Sequence, residues 1–172
     1  MPQADKTGRR AAAPSLKGRA LRYLSAREHS RAELTRKLAP YAETPEQLAL
    51  VLDDLQANDF ISEARVTESV IHRRAGRYGA SRIKYELLNK GLGTEVVAAA
   101  MAQLHETEHQ RASEVWRRKF GTPAADAAAQ ARQMRFLLSR GFSAEAARRV
   151  LRQTQAENLA GDHDMTDSAF GH

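Results

Sequence analysis

The seven residues ELLNKGL, Glu86 to Leu92, decide the fold, because the chain writes them three times. ELTRKL begins at Glu33 and FLLSRGF begins at Phe136. Leu34, Leu87 and Leu137 thereby fall in register, as do Lys37, Lys90 and Arg140. Blocks about 50 residues apart leave room for three short helices each and mark a tandem array. After each block comes a cap and an amphipathic stretch: TPEQLALVLDDL from Thr44, TEVVAAAMAQL from Thr94 and SAEAARRVLRQ from Ser143. Thr44 with Gln47 reads as a capping box, and Pro45 is preset for the first helical position. Val51, Met101 and Val150 then stand at the same point on each third helix, which implies three equivalent cores.

A further helix precedes each block: Leu16 to Ser25, Ser62 to Arg77, and His109 to Phe120. Ser30 and Glu33 make a capping box in the first repeat, while Gly91 and Gly141 sit where a left-handed residue ends the second helix of the other two. Strand signal is absent, since valines are few, apolar and polar residues do not alternate, and Ala, Leu, Arg and Glu dominate. The predicted fold is all-α: three tandem three-helix repeats (16–61, 62–107, 108–155) in an elongated, curved array. Such an array suits a protein that lies along another polymer and suits poorly a deep enclosed active site.

Residues 1–22 carry Lys6, Arg9, Arg10, Lys17, Arg19 and Arg22 against Asp5 alone. The last seventeen carry Glu157, Asp162, Asp164 and Asp167 with no Lys or Arg. A basic arm (1–15) and an acidic tail (156–172), both expected to be disordered, thus flank the repeats. With a net charge of +6 the chain points to a polyanionic partner. No cysteine is present, which removes disulfide frameworks, thiolate zinc sites and Cys-ligated clusters. The longest apolar run, Val96 to Ala102, is far short of the roughly 20 residues that span a bilayer. The N-terminus lacks the apolar segment of a secretory signal. A soluble, cytoplasmic protein without membrane contact is expected.

In order along the chain, LSAREHSRAELTRKL, GRYGASRIKYELLNKGL, RRKFG and RFLLSRGFS resemble the RecX regulatory proteins, modulators of the bacterial RecA recombinase. The resemblance runs from Leu16 to near Leu151. One motif departs: where the family usually has an aspartate pair, one residue and then Arg-Phe-Ala, this chain reads Ser62, Glu63, Ala64, Arg65, Val66, Thr67. The resemblance implies a non-enzymatic regulator, without cofactor or metal, working as a monomer in the helical groove of the RecA filament on single-stranded DNA. There it would damp ATP hydrolysis, strand exchange and co-protease activity. The alternative is a stand-alone nucleic-acid-binding protein, since three-helix repeats with short turns resemble helix-turn-helix modules.

Three basic clusters are candidate contacts. HRRAGRYGASRIK holds Arg73, Arg74, Arg77, Arg82 and Lys84 with no acid before Glu86, and it encloses Tyr78. Arg takes phosphate or carboxylate bidentately, and Tyr stacks on a base or fills a protein pocket. WRRKFG supplies Arg117, Arg118 and Lys119, with Trp116 and Phe120 read as core. Arg148, Arg149 and Arg152 form the third cluster. Asp53, Asp54 and Asp59 read as an acidic patch for basic residues of a partner protein.

HETEH, His105 to His109, matches the H-E-x-x-H of zinc peptidases, where one helix aligns two imidazoles and a carboxylate. Here the match falls at a seam between helices, and no H-x-x-G-x-x-H extension follows. A chance match is the reading taken, with no catalytic residues assigned.

Overall fold

Leu34, Leu87 and Leu137 are fully buried, and each lies in a hydrophobic cluster of its own repeat. The computed structural model of the chain describes residues 13–166, in which all regular structure is helical. Residues 1–12 of the basic arm and 167–172 of the acidic tail lie outside the described residues.

The chain divides after Ser62 into two compact units. Unit 1 holds α1 (Leu16–Ala26), α2 (Arg31–Leu38), a 3-10 turn (Ala39–Tyr41) and α3 (Pro45–Ala57). Unit 2 holds α4 (Glu63–Arg74), α5 (Ala80–Asn89), α6 (Thr94–Glu106), α7 (Glu108–Lys119), α8 (Ala127–Ser139) and α9 (Ala144–Thr166). The second and third repeats therefore form one body, each with its own core.

Local signals account for most helix ends. Ser30 Oγ accepts from the Glu33 amide, and the Glu33 carboxylate accepts from the Ser30 amide, closing the capping box of α2. Gly91 and Gly141 adopt φ of 73° and 86° at the ends of α5 and α8, where a Cβ would be strained. The first repeat has Leu38 at the equivalent position, buried, so its chain continues through Ala39 and Pro40 into the 3-10 turn.

Four details differ from the sequence reading. Gly93, not Thr94, caps α6, its amide donating to Glu63 Oε2 at 3.3 Å. The register of the third helices shifts accordingly: Leu48, Val97 and Ala147 lie four residues after the true caps, Leu52, Met101 and Leu151 eight, and all are buried. Val51 is only half-buried, because Leu48, Leu52 and Leu55 take the core face of α3. Gln47 accepts from the Glu43 amide rather than from Thr44, so the reciprocal half of that box is displaced by one residue. Finally, α9 continues to Thr166, beyond the residue-156 boundary drawn for the tail; its added segment contains Ala156, Glu157, Leu159 and Ala160, all compatible with a helix.

Val66, at the position where the RecX pattern places an aromatic ring, is 1% exposed within the core of the second repeat. In this chain a small apolar side chain at that position belongs to the core.

Candidate partner interface

Unit 2 brings the turn after α4 against the turn after α8. The Gly79 amide donates to the Arg140 carbonyl at 2.9 Å, and Ser81 donates through its amide (3.3 Å) and hydroxyl (2.8 Å) to the Gly141 carbonyl. A Cβ on Gly79 would overlap the Gly141 backbone, so only glycine permits this approach. Arg111 on α7 completes the junction, donating to the carbonyls of Ala75 (3.2 Å), Tyr78 (2.8 Å) and Leu104 (2.8 Å). Burial lowers its pKa from the usual arginine value, an effect that the nearby Glu108 opposes. Its place is thus structural: it satisfies carbonyls that the ends of α4 and α6 leave open.

Tyr78 sits at this junction with three guanidinium groups around its ring. Arg82 lies 4.7 Å, Arg140 5.5 Å and Arg74 5.9 Å from the centroid. Each distance is within reach of the ring quadrupole. Arg74 is also paired with Glu86 at 2.8 Å. Half-exposed on both sides, that pair orients Arg74 more than it stabilises the fold.

One groove opens beside the ring and a second beside Arg140. The first, of about 350 Å³, is lined by Arg74, Tyr78, Arg82, Tyr85, Glu86 and Lys90, among others. The second, of about 310 Å³, is lined by Gly76, Arg77, Val115, Arg118, Lys119, Phe136 and Arg140. Its wall is held by Arg118, which donates to the Gly76 carbonyl at 2.7 Å. Arg140 reaches toward both grooves, since it lies over the Phe136 ring at 5.1 Å as well as over Tyr78. Cations outnumber acids in each groove, and the lining includes aromatic surface. Such grooves can hold phosphates or carboxylates and pack against flat apolar groups.

Of the residues proposed from sequence, Arg74, Tyr78 and Arg82 meet in the first groove, and Arg77, Arg118 and Lys119 in the second. Arg73 is exposed but turned back, its Nε donating to the Ser69 carbonyl. Lys84 and Arg117 are exposed and line neither groove. Arg148, Arg149 and Arg152 lie exposed on α9, also outside both. Trp116 is core, 5% exposed, with its indole N–H on Gln133 at 2.8 Å, and Phe120 packs edge-on against Phe136. Sequence reasoning missed Arg140 and Lys90 as contacts, although the alignment of Lys37, Lys90 and Arg140 had placed them at equivalent positions.

The acidic patch is engaged within its own unit: Asp53 with Arg31 and Asp54 with Lys17, each at 2.6 Å. HETEH does not form one helix. α6 ends at Glu106, Thr107 is the junction, and α7 begins at Glu108. Glu108, 6% exposed, caps α9 by accepting from the Ser143 amide (3.2 Å) and hydroxyl (2.9 Å). Among the described residues no group of His and carboxylate side chains is placed to hold a metal ion. No helix among them is long and apolar enough to cross a membrane.

Comparison with known proteins gives three consecutive matches. Residues 17–55, 62–101 and 106–151 match the family models of the first, second and third three-helix domains of RecX. The regulatory protein RecX of Leptothrix cholodnii is 58% identical over 152 residues, 88% of this chain and 95% of that protein. The regulatory protein RecX of Ralstonia pickettii is 47% identical, covering 89% of this chain and 95% of that protein. The crystal structure of RecX from Lactobacillus salivarius shares the fold with a TM-score of 0.70 at 19% identity, over 82% of this chain and 95% of that one.

Proposed function

The chain belongs to the RecX family of regulatory proteins, and from that premise we propose that it binds the RecA filament on single-stranded DNA and lowers its ATPase, strand-exchange and co-protease activities. The observation that carries this reading is the pair of cation-lined grooves in unit 2, one lined by Tyr78 and the other by Arg140, whose guanidinium lies over the Tyr78 ring. A nucleoprotein filament offers phosphates and surface carboxylates along its length, and arginines on a rigid base can take either bidentately. The half-buried Tyr78 adds a flat surface for a partner side chain or base. In this reading the protein acts as a monomer in the filament groove, and its membership of the RecX family supports the assignment.

Single-stranded-DNA-dependent ATP hydrolysis by RecA, titrated with this protein from far below equimolar, tests the proposal. Inhibition at substoichiometric amounts is the expected result, and it would point to action on filament ends or cooperative disassembly. An unchanged rate at equimolar protein, with RecA matched in species, refutes the reading.

A further inference from the structure

Unit 1 sorts its cations into two sets. Lys17 is tied to Asp54 at 2.6 Å, Arg31 to Asp53 at 2.6 Å and Arg27 to Glu33 at 3.1 Å. Arg19, Arg22 and Lys37 have no carboxylate partner among the described residues. Two of them lie over tyrosines instead: the Arg19 guanidinium is 4.1 Å from the Tyr41 centroid, and Lys37 Nζ is 4.8 Å from that of Tyr23. Arg19, Arg22 and Tyr23 line a cavity of about 230 Å³. The segregation is not for want of acids, because Glu43 and Glu46 of the same unit are exposed.

Helix electrostatics explain only one of the three cations. Lys37 occupies the last turn of α2, where the macrodipole favours a positive charge. Arg19 and Arg22 stand within α1, whose last turn holds no basic residue. Three residues apart, they share a face and repel one another unless an anion offsets them.

We infer that this patch is a second binding site, formed by unit 1, for the sugar-phosphate backbone of single-stranded DNA. Arg19 and Arg22 present two bidentate donors nearly one turn apart, and Lys37 adds a point charge beside them. Tyr41, 51% exposed, offers ring surface to an unpaired base. A duplex has no unstacked base to give it, and that difference selects the single strand. The inference rests on the filament reading for its biological setting, and deepens it by giving the DNA a contact separate from Tyr78 and Arg140.

The test is fluorescence anisotropy of a labelled deoxythymidine oligonucleotide across a salt series, with the full chain and no RecA. Arg22→Ala/Lys37→Ala is compared with Lys17→Ala/Arg27→Ala, which removes the same charge from cations already paired. Arg22 and Lys37 are both exposed, so the fold should persist, and circular dichroism checks it. The first variant is expected to lose about tenfold in affinity and to flatten the logarithmic salt slope by about 1.4, the value for two single-strand phosphates that are no longer neutralised. The paired-cation variant should stay within about twofold of the parent. Tyr41→Ser should weaken binding severalfold with the slope unchanged. Equal losses in the two double variants, or a duplex bound as tightly as the single strand, would overturn the site. Because RecA is absent, the outcome is independent of the ATPase titration that judges the filament reading.

Discussion

Arg140 lines the second groove and lies over the Tyr78 ring that lines the first, and its backbone carbonyl receives the Gly79 amide that joins the second repeat to the third. Its side chain and its main chain therefore do different things, and a substitution separates them. Arg140→Glu keeps the carbonyl and reverses the charge, so inhibition of RecA should weaken by about tenfold or more, the scale of one lost charge contact plus a new repulsion. Arg73→Glu, on a side chain that lines neither groove, should stay within about twofold; equal effects of the two in the ATPase titration would remove Arg140 from the contact surface. His109 offers a second prediction. Its Nε2 is buried with no hydrogen-bond partner among the described residues, and burial, helped by Arg149, lowers its pKa from the ordinary 6.5. The unfolded chain then takes up a proton at a higher pH than the folded chain does, so the stability of unit 2 is complete above about pH 6.5 and declines as pH falls through the interval down to the folded pKa. Denaturant titrations at pH 7.5 and 5.5, followed by Trp116 fluorescence, should show a smaller pH-dependent loss in His109→Leu than in the parent. Neither residue was legible as important in the sequence. Arg140 is isolated in FLLSRGF, and its proximity to Tyr78 arises only from the packing of one repeat on the next.

Helices and turns were more legible, because most of their determinants are local. Capping by Ser30, Thr44 and Ser143, the proline at the start of α3 and the left-handed glycines after α5 and α8 all depend on residues within one turn of each other. The error at α6 has a tertiary cause: Glu63, thirty residues upstream, receives the Gly93 amide and fixes the cap one position early. HETEH falls at the seam between helices that its place between the second and third repeats predicts. Its spacing fits a continuous helix, but Thr107 ends α6 and Glu108 turns to cap α9, so the motif is divided between two elements. Glycines discriminate local from tertiary demands experimentally. Gly79→Ala would drive a Cβ into the Gly141 backbone and should destabilise unit 2 by about 1–3 kcal/mol or more, since backbone cannot give way as a side chain can. Gly76→Ala, three residues earlier with nothing within 4 Å of the added carbon, should change stability by no more than about 0.5 kcal/mol. Thermal or urea unfolding of the two variants measures the contrast, and similar losses would mean that the turn-to-turn contact is not what holds the repeats together.

At the scale of the whole molecule, the three repeats share one sequence pattern but not one degree of integration. The sequence predicts three equivalent cores, and three clusters are present, yet the second and third repeats are joined into unit 2 by the Gly79 junction and by Arg111, interactions that no single repeat encodes. Unit 1 rests on a small core of its own around Leu34, Leu38, Leu52 and Leu55. A body of that size buries a smaller share of its surface than one nearly twice as long, and it gains correspondingly less from the hydrophobic effect. Unit 1 should therefore unfold first. The protein carries a built-in reporter of the order: Trp116 is the only tryptophan, and it lies in the core of the third repeat, so its fluorescence follows unit 2, whereas far-ultraviolet circular dichroism follows helices of both units. In a urea titration the dichroism should begin to fall before the fluorescence moves, giving midpoints that do not coincide. Coincident transitions would show that folding free energy is shared across Ser62, and unit 1 would then have to be treated as part of a single cooperative body. Leu34→Ala sharpens the separation. Removing that buried side chain should cost unit 1 about 2–5 kcal/mol and advance the early dichroism phase, while the Trp116 midpoint stays where it was.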